Sequence, residues 1–556
     1  MKQKMMKYLF PALLAALACA CADEQRELPE IGSPAIAFSD GTGEYKVKIG
    51  REITLSAGVT NAVNPVYAWK LDGKIIAADT LLAFRGEKLG EYFLTFRVDA
   101  DNGSAEAQVK LTVADKLPPR LKLGESFAGF TGADTPLVPD VENPDGVTYA
   151  WMMDGKVIGT DSVLLFNQAE VTVYNVILSA TNEDGKTLAS ASVTLLPEPL
   201  PALFFDDGYY RSAADRPVRL SVPEGRRLAL VPVKTLISDN AVYRWEVDGA
   251  VQPATGEFFT FAPAARGVYQ VKVTATDDGT SVSAEVAVEC VAPEGTYRRL
   301  PTAASRAVAD KAYAFVQAPG QHVSIVAGTT EQDMTDRATK TCLASDGSSY
   351  AFSIGAFGGY VVVGFDHSVE DVASQPDLQI VGNAFAGWSE PGIVYVMQDE
   401  NGNGLPDDTW YELKGSEYGT SNHIARYALT YFRPKGAGIL WVDNFKNAGA
   451  GTPLAFDVTK YPNFIAGDRV TFVATCLLPT VQEGGIITSI GYDWGYVDNI
   501  NSRAGFYIED AVQVDGSPAN LKYIDFVKVQ TGMNATAGGL GEISTDTGVA
   551  VDMHLQ

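Results

Sequence analysis

The densest chemistry in the sequence lies in ten consecutive residues, Asp399-Glu400-Asn401-Gly402-Asn403-Gly404-Leu405-Pro406-Asp407-Asp408. Oxygen-bearing side chains hold the first, third and fifth places (Asp399, Asn401, Asn403), with Gly404 sixth and Asp407 ninth, as in the opening of a calcium loop. Calcium takes several oxygens at once, and a tightly turning chain can aim alternate side chains and one carbonyl inward; here the carbonyl is that of Leu405. Trp410 stands where an EF-hand closes with a bidentate Glu, so this is not an EF-hand. Asp407, Asp408 or Glu412 must supply the closing carboxylate. The expected cofactor is a structural calcium ion, the alternative an acidic hairpin turn with no metal.

Elsewhere no reaction centre is legible. The sequence has no Gly-x-Ser-x-Gly elbow, no His-Glu-x-x-His, no phosphate loop and no paired Cys/His ligands. Glycosidase carboxylates are defined by separation in space and cannot be read from spacing. The expectation is a non-enzyme, with no catalytic residue and no catalytic cofactor. Beyond the N-terminal segment only Cys290, Cys342 and Cys476 remain. An odd, scattered set is neither a disulfide framework nor a metal cluster, and reads as small buried hydrophobes.

The elements that must position these residues are β-strands. A chain of 556 residues is too long for one core and implies several domains. Formal charge is 43 − 68 = −25, without a Lys/Arg-rich stripe. Phosphate backbones need clustered cations, so no nucleic-acid partner is expected. Val66-Tyr67-Ala68-Trp69-Lys70-Leu71-Asp72-Gly73 recurs as Thr148-Tyr149-Ala150-Trp151-Met152-Met153-Asp154-Gly155 and as Val242-Tyr243-Arg244-Trp245-Glu246-Val247-Asp248-Gly249. Each Asp-Gly closes an apolar-rich strand, a strong hairpin signal. A second strand follows in every copy, at Tyr92 to Ala100, Tyr174 to Thr181 and Tyr269 to Thr276. In the last, Tyr269, Val271, Val273 and Ala275 face one way, the period of a half-buried antiparallel strand. The Tyr-x-Trp strand with its later partner resembles the PKD family of immunoglobulin-like domains, over roughly residues 37 to 293. That resemblance makes Trp69, Trp151 and Trp245 core residues.

The N-terminus differs. Lys2, Lys4 and Lys7 precede an apolar run from Leu9 to Ala18, with small residues around Cys19 and Cys21. This is a secretory signal, too short to span a membrane permanently. Its end resembles the lipobox of bacterial lipoproteins. Cys19 and Cys21 both qualify for acylation, and Cys21 is preferred because Ala22-Asp23-Glu24 follows it. The expected organisation is a signal peptide (1–20), a tether (21–36), PKD-like modules at 37–116, 117–198 and 199–293, a linker (294–310) and a ligand-binding domain at 311–556. Three modules in series would act as a stalk.

The last domain is also β-rich: short apolar runs at Gly359 to Phe365, Ile393 to Gln398, Trp410 to Lys414, Arg426 to Phe432, Val470 to Leu477 and Ile524 to Val529 are divided by Gly, Pro, Asn and Asp. No stretch shows a sustained helical period. The fold class expected is all-β: three immunoglobulin-like sandwiches followed by a larger jelly-roll-like sandwich. Gly382-Asn383-Ala384-Phe385, Ser389-Glu390-Pro391-Gly392, the Asp/Asn loop, Asp493-Trp494-Gly495-Tyr496-Val497-Asp498-Asn499 and Tyr523 to Gly532 together resemble the C-terminal domain of PKD-bearing surface lipoproteins of gut bacteria. Members of that family are associated with outer-membrane cobalamin uptake, and some bind vitamin B12 at the cell surface. The resemblance implies an outer-membrane, surface-exposed lipoprotein that meets the membrane through its lipid anchor only. It would capture a cobamide and hand it to an outer-membrane transporter.

Family scaffold segments would carry variable loops. Trp388 stands before Ser-Glu-Pro-Gly, where the family usually has small residues, and an exposed indole suits a flat corrin ring. Trp441 is a second candidate, with Tyr418 and Tyr461 behind it. His423, in Thr420-Ser421-Asn422-His423, is a candidate cobalt ligand, since imidazole ligates metals. Two other readings stand beside cobamide capture: a surface carbohydrate-binding protein, and an adhesin or scaffold without a small-molecule site.

Overall fold

A computed structural model describes residues 32–38, 41–212, 216–323, 328–434, 439–451, 461–482, 488–500, 505–537 and 541–555. Cys19 and Cys21 lie outside them. The described residues up to Leu121, with Val141–Tyr149 and Ser179–Leu188, form one compact unit; Lys122–Asp140, Ala150–Leu178 and the chain from Ala189 onward form a second.

The repeats build immunoglobulin-like sandwiches. In the first, Glu44–Lys48, Gly103–Ala114, Gly90–Ala100, Val66–Leu71 and Lys74–Ala77 lie side by side in that order, and Ala35–Phe38, Glu52–Thr60 and Leu81–Arg85 form the other sheet. The order of the five-stranded sheet is the same in the other two repeats. All three tryptophans are fully buried, as the repeat pattern predicts. Asp72-Gly73, Asp154-Gly155 and Asp248-Gly249 all take positive φ at both positions. That is the backbone of a type I′ hairpin turn, and Asp-Gly tolerates it because neither residue has a branched Cβ to clash. Cys290, Cys342 and Cys476 are free and buried.

The C-terminal domain is built on a six-stranded antiparallel sheet in the order Lys311–Val316, Tyr360–Glu370, Tyr523–Thr531, Gly392–Met397, Tyr411–Leu413, Ala511–Val512. A second sheet orders Arg211–Ser212, Arg469–Leu477, His423–Phe432, Ile439–Asp443 and Ala448–Gly451. Tyr360, Val362, Leu429 and Phe472 share the core between the two sheets. Val361, Val363, Val527 and Val529 point to the opposite core, which also holds Met334, Ala338 and Cys342. Those three residues belong to the helix Glu331–Ala344, capped by the Thr330 side chain on the Asp333 N–H. The helix departs from the all-strand expectation for this domain. Its apolar stripe is one residue wide, at every fourth position, too sparse to stand out as a helical period. Because apolar layers cover both faces of the six-stranded sheet, every residue of Tyr523–Thr531 is buried.

The third sandwich has its own core, from Leu203 to Cys290, and its last strand ends at Val291. The third sandwich is not a free bead of a stalk, because it is built into the domain that follows. Arg211 and Ser212 extend the C-terminal domain's second sheet, pairing with Thr471 and Val470. The Thr409 hydroxyl donates to the Ser221 carbonyl at 2.7 Å, and the Ser221 hydroxyl donates to Glu400 at 2.6 Å. Arg226 pairs with Glu294 and Arg426 with Glu257, both at 2.7 Å. Residues 294–310 are no loose linker either: Arg299 reaches the buried Asp525 at 2.9 Å, and Ala309 donates its N–H to Ala550 at 2.9 Å.

Candidate functional site

The loops that carry Trp388 converge through backbone pairing. Trp388 pairs with Phe385 and with Ser489. The Ser389 hydroxyl takes the Ile500 N–H at 3.0 Å, and Ser489 donates its hydroxyl to the Ser389 carbonyl at 2.6 Å. The Ile490 N–H reaches the Thr480 carbonyl, two residues past Leu478. Four large apolar side chains stand exposed on these joined loops: Phe385 at 61%, Leu478 at 41%, Ile490 at 44% and Ile500 at 40%. Trp388 is half-buried among them, packed on a core of Ile393, Leu477, Tyr492, Tyr496 and Met533. Large apolar side chains gathered this way on loops mark a contact surface.

The motifs read as scaffold in the sequence hold this surface from beneath. Buried Glu390 accepts the Ser544 N–H at 2.9 Å and the Trp388 indole N–H. Buried Asp498, with a φ of 56°, accepts N–H groups from Asn383 and Asp546, each at 2.9 Å. Asn499 clasps Tyr492 on both sides, accepting its N–H at 2.8 Å and donating to its carbonyl at 2.7 Å. Burial first, then the neighbouring carboxylates, push Glu390 up to about 7 and Asp498 up to about 8.

The other predicted ligand residues are dispersed. Trp441 is half-buried against the core between the sheets. Tyr461 is buried, with the Arg433 guanidinium 4.5 Å above its ring. Neither belongs to the loop surface. Tyr418 and His423 are close partners, their ring centroids 4.6 Å apart, in a cavity of about 140 Å3 between the third sandwich and the C-terminal domain. The His423 side chain is 7% exposed and its Nε2 faces Glu412 at 3.3 Å. It is turned inward, away from the position a cobalt ligand of a surface-bound cobamide would need.

The Asp/Asn loop is irregular, and its turns use positive φ at Gly402 and Gly404, both 75°. Asp399 accepts the N–H groups of Gly402 and Gly404 at 2.9 and 3.0 Å. The amide groups of Asn401 and Asn403 lie against Asp407 at 3.0 Å, and Asn401 also reaches Asp408. Asp399, Asn401, Asn403, Asp407 and Asp408 are thus linked in one turn, with Leu405 exposed at its tip. Among the described residues no three His, Cys, Asp or Glu side chains gather as a metal-binding group, so an ion here would need amide and carbonyl oxygens beside one or two carboxylates. Glu412 is not part of the loop. It points into the cavity, where Thr475 donates to it at 2.6 Å.

Sequence reasoning missed Phe385, Leu478, Ile490 and Ile500, which carry no spacing signal because they come from separate loops. It also missed Asp206 and Lys528 in the cavity. Lys528 did leave a trace: a lone cation in the apolar run Tyr523 to Val529.

The PKD-like domain family matches residues 33–100 and 118–182. Among solved structures, fibronectin(III)-like modules of Clostridium thermocellum CbhA share 17% identity, covering 29% of this chain and 95% of that one with a TM-score of 0.17. The titin I-band fragment I67–I69 shares 16%, covering 47% and 99% with a TM-score of 0.16. Dpr2 Ig1-Ig2 in complex with DIP-Theta Ig1-Ig3 shares 12%, covering 46% and 99% with a TM-score of 0.18. No curated protein matches the sequence. The class defined by the fold is a nearly all-β protein of immunoglobulin-like sandwiches. More narrowly, residues 33–100 and 118–182 match a PKD-like domain.

Proposed function

We propose that this chain is a surface lipoprotein, acylated at Cys21, that captures a cobamide on the outer membrane and passes it to an uptake transporter. The observation that carries this reading is the loop surface of Phe385, Trp388, Leu478, Ile490 and Ile500. A corrin is broad and flat with amides around its edge, and an open apolar platform suits its face. A cavity of about 140 Å3 does not admit it. The motif set from Gly382 to Gly532 supports the same ligand by resemblance. In this reading a calcium ion sits in the turn from Asp399 to Asp408, held by Asp399, Asn401, Asn403, the Leu405 carbonyl and Asp407 or Asp408, and rigidifies it.

Tryptophan fluorescence tests the proposal, because a bound corrin absorbs where an adjacent indole emits. Saturable quenching by cyanocobalamin that disappears in Trp388→Phe supports it. Absence of saturation would leave the scaffold reading in its place.

A further inference from the structure

We infer that the cavity where the third sandwich meets the C-terminal domain is a binding site for a neutral, hydroxyl-rich ring the size of one monosaccharide. The inference does not rest on the cobamide reading, since the two sites share no residue. At about 140 Å3 the space matches what a single six-membered ring occupies. Its walls combine aromatic rings, Tyr395, Trp410 and Tyr418, with the charged groups of Asp206, Glu412 and Lys528.

The charges decide the ligand class. Lys528 is 1% exposed and, among the described residues, makes one hydrogen bond, to the Gly208 carbonyl at 2.9 Å. An ammonium has three N–H donors, so two are left for the cavity. Asp206 accepts the backbone N–H of Gly208 and feels the charge of Lys528, and its carboxylate is part of the cavity wall. Glu412 is held by Thr475 and His423. Two other charges on the wall are already matched, Asp207 by Arg216 at 2.7 Å and Arg426 by Glu257 at 2.7 Å.

A cationic ligand would compete with Lys528, whose ammonium already lies 4.3 Å from the Tyr395 ring centre and 5.3 Å from that of Trp410. An anion would face Asp206 and Glu412. An apolar molecule would leave the polar groups of Lys528 and Asp206 facing it without hydrogen bonds, which is costly. A polyol ring supplies hydroxyl donors to the carboxylates, an acceptor oxygen to Lys528 and C–H faces to the aromatic rings. Gly208 keeps the space open: a Cβ there would lie 2.6 Å from the Trp410 ring and 2.9 Å from the Lys528 Nζ.

The test is isothermal titration of the full chain with glucose, galactose, mannose and N-acetylglucosamine, and with disaccharides ending in each. The expected result is saturable binding of at least one monosaccharide, weakened at least tenfold in Asp206→Asn and in Glu412→Gln and unchanged in Leu343→Ala, which alters an exposed helix residue outside both sites. Should one cavity variant fail to fold, the other carries the test. Equal affinity for monosaccharide and disaccharide identifies a free sugar; at least tenfold preference for the disaccharide identifies a glycan end. Absence of binding to the wild-type chain at tens of millimolar sugar overturns the inference. So does binding that both substitutions leave intact, or response only to acetate, phenol or trimethylamine.

Discussion

One carboxylate oxygen of Asp498 accepts the backbone N–H of Asn383 at 2.9 Å, tying the loop before Trp388 to the segment that carries Asp498 and Asn499. The other oxygen ties in Asp546. A single buried acid therefore sets the relative position of the segments beneath the apolar surface. Its removal should loosen that surface before it unfolds the domain.

The same acid predicts a pH dependence. Asp498 and Glu390 are raised in the folded state to about 8 and about 7, burial being the main cause. Between the ordinary carboxylate range and those values the folded chain holds protons that the unfolded chain has released, so stability falls as pH rises. His367 acts in the same direction. Burial pulls its imidazole down, but hydrogen bonds to Asp552 and Asp366 raise it overall, so its contribution is complete below the unfolded value and fades as pH passes the folded one. Thermal melts should give a higher Tm near pH 5.5 than near pH 9, with a difference of a few kcal/mol at about 1.4 kcal/mol per pKa unit. Asp498→Asn should flatten the profile. A Tm that climbs from pH 5.5 to 9 would contradict this.

The repeat tryptophans are equal in burial but not in bonding. The Trp151 indole N–H donates to the Asp161 carbonyl and that of Trp245 to Gly256, both at 2.9 Å. The Trp69 indole nitrogen is buried without a partner among the described residues. Replacing Trp by Phe therefore costs a hydrogen bond in the second and third modules but not in the first. Chemical denaturation should show Trp69→Phe to be milder than Trp151→Phe by about 1 kcal/mol. Equal losses would mean that the indole N–H groups are equivalent.

The repeats show what pattern alone can convey. Their hairpins and core tryptophans follow from local rules: Asp-Gly tolerates positive φ, and alternation selects the face that Trp69 or Val271 occupies. The six strand segments read in the last domain also appear, because each is a run bounded by turn residues. What did not show is set by tertiary packing. Lys528 and Gln530 lie in a strand covered on both faces, so polarity there gives no sign of exposure. The docking of the third sandwich rests on Ser221, Thr409 and Glu400, a contact between residues 179 apart in the case of Ser221 and Glu400. The assembly of Phe385 with Ile490 likewise depends on pairing between distant loops.

That docking has a thermodynamic consequence. A third sandwich joined to the C-terminal domain through a shared sheet and buried hydrogen bonds should unfold with it, not as a separate bead. Calorimetry should give one transition for the two together, and Thr409→Val should lower it by about 1–3 kcal/mol by leaving the Ser221 backbone groups unpaired. A distinct transition destabilised by Trp245→Ala alone would contradict the fusion.

Calcium should stabilise the chain through the turn at Asp399. At a hundredfold excess over Kd a ligand adds about 2.7 kcal/mol. Melts in EDTA and in millimolar calcium should therefore differ by several degrees. The calcium response should vanish in Asp399→Ala, whatever that substitution does to the metal-free Tm. Identical melts with and without calcium would leave the turn held by its own hydrogen bonds.

The central claim is that the apolar loop surface takes a cobamide, and co-elution tests it most directly. Full chain mixed with excess cyanocobalamin and run on a sizing column should carry red colour in the protein peak. Phe385→Ala and Trp388→Ala should remove that colour while His423→Ala keeps it. A colourless wild-type peak, or colour retained by both loop variants, would contradict the account.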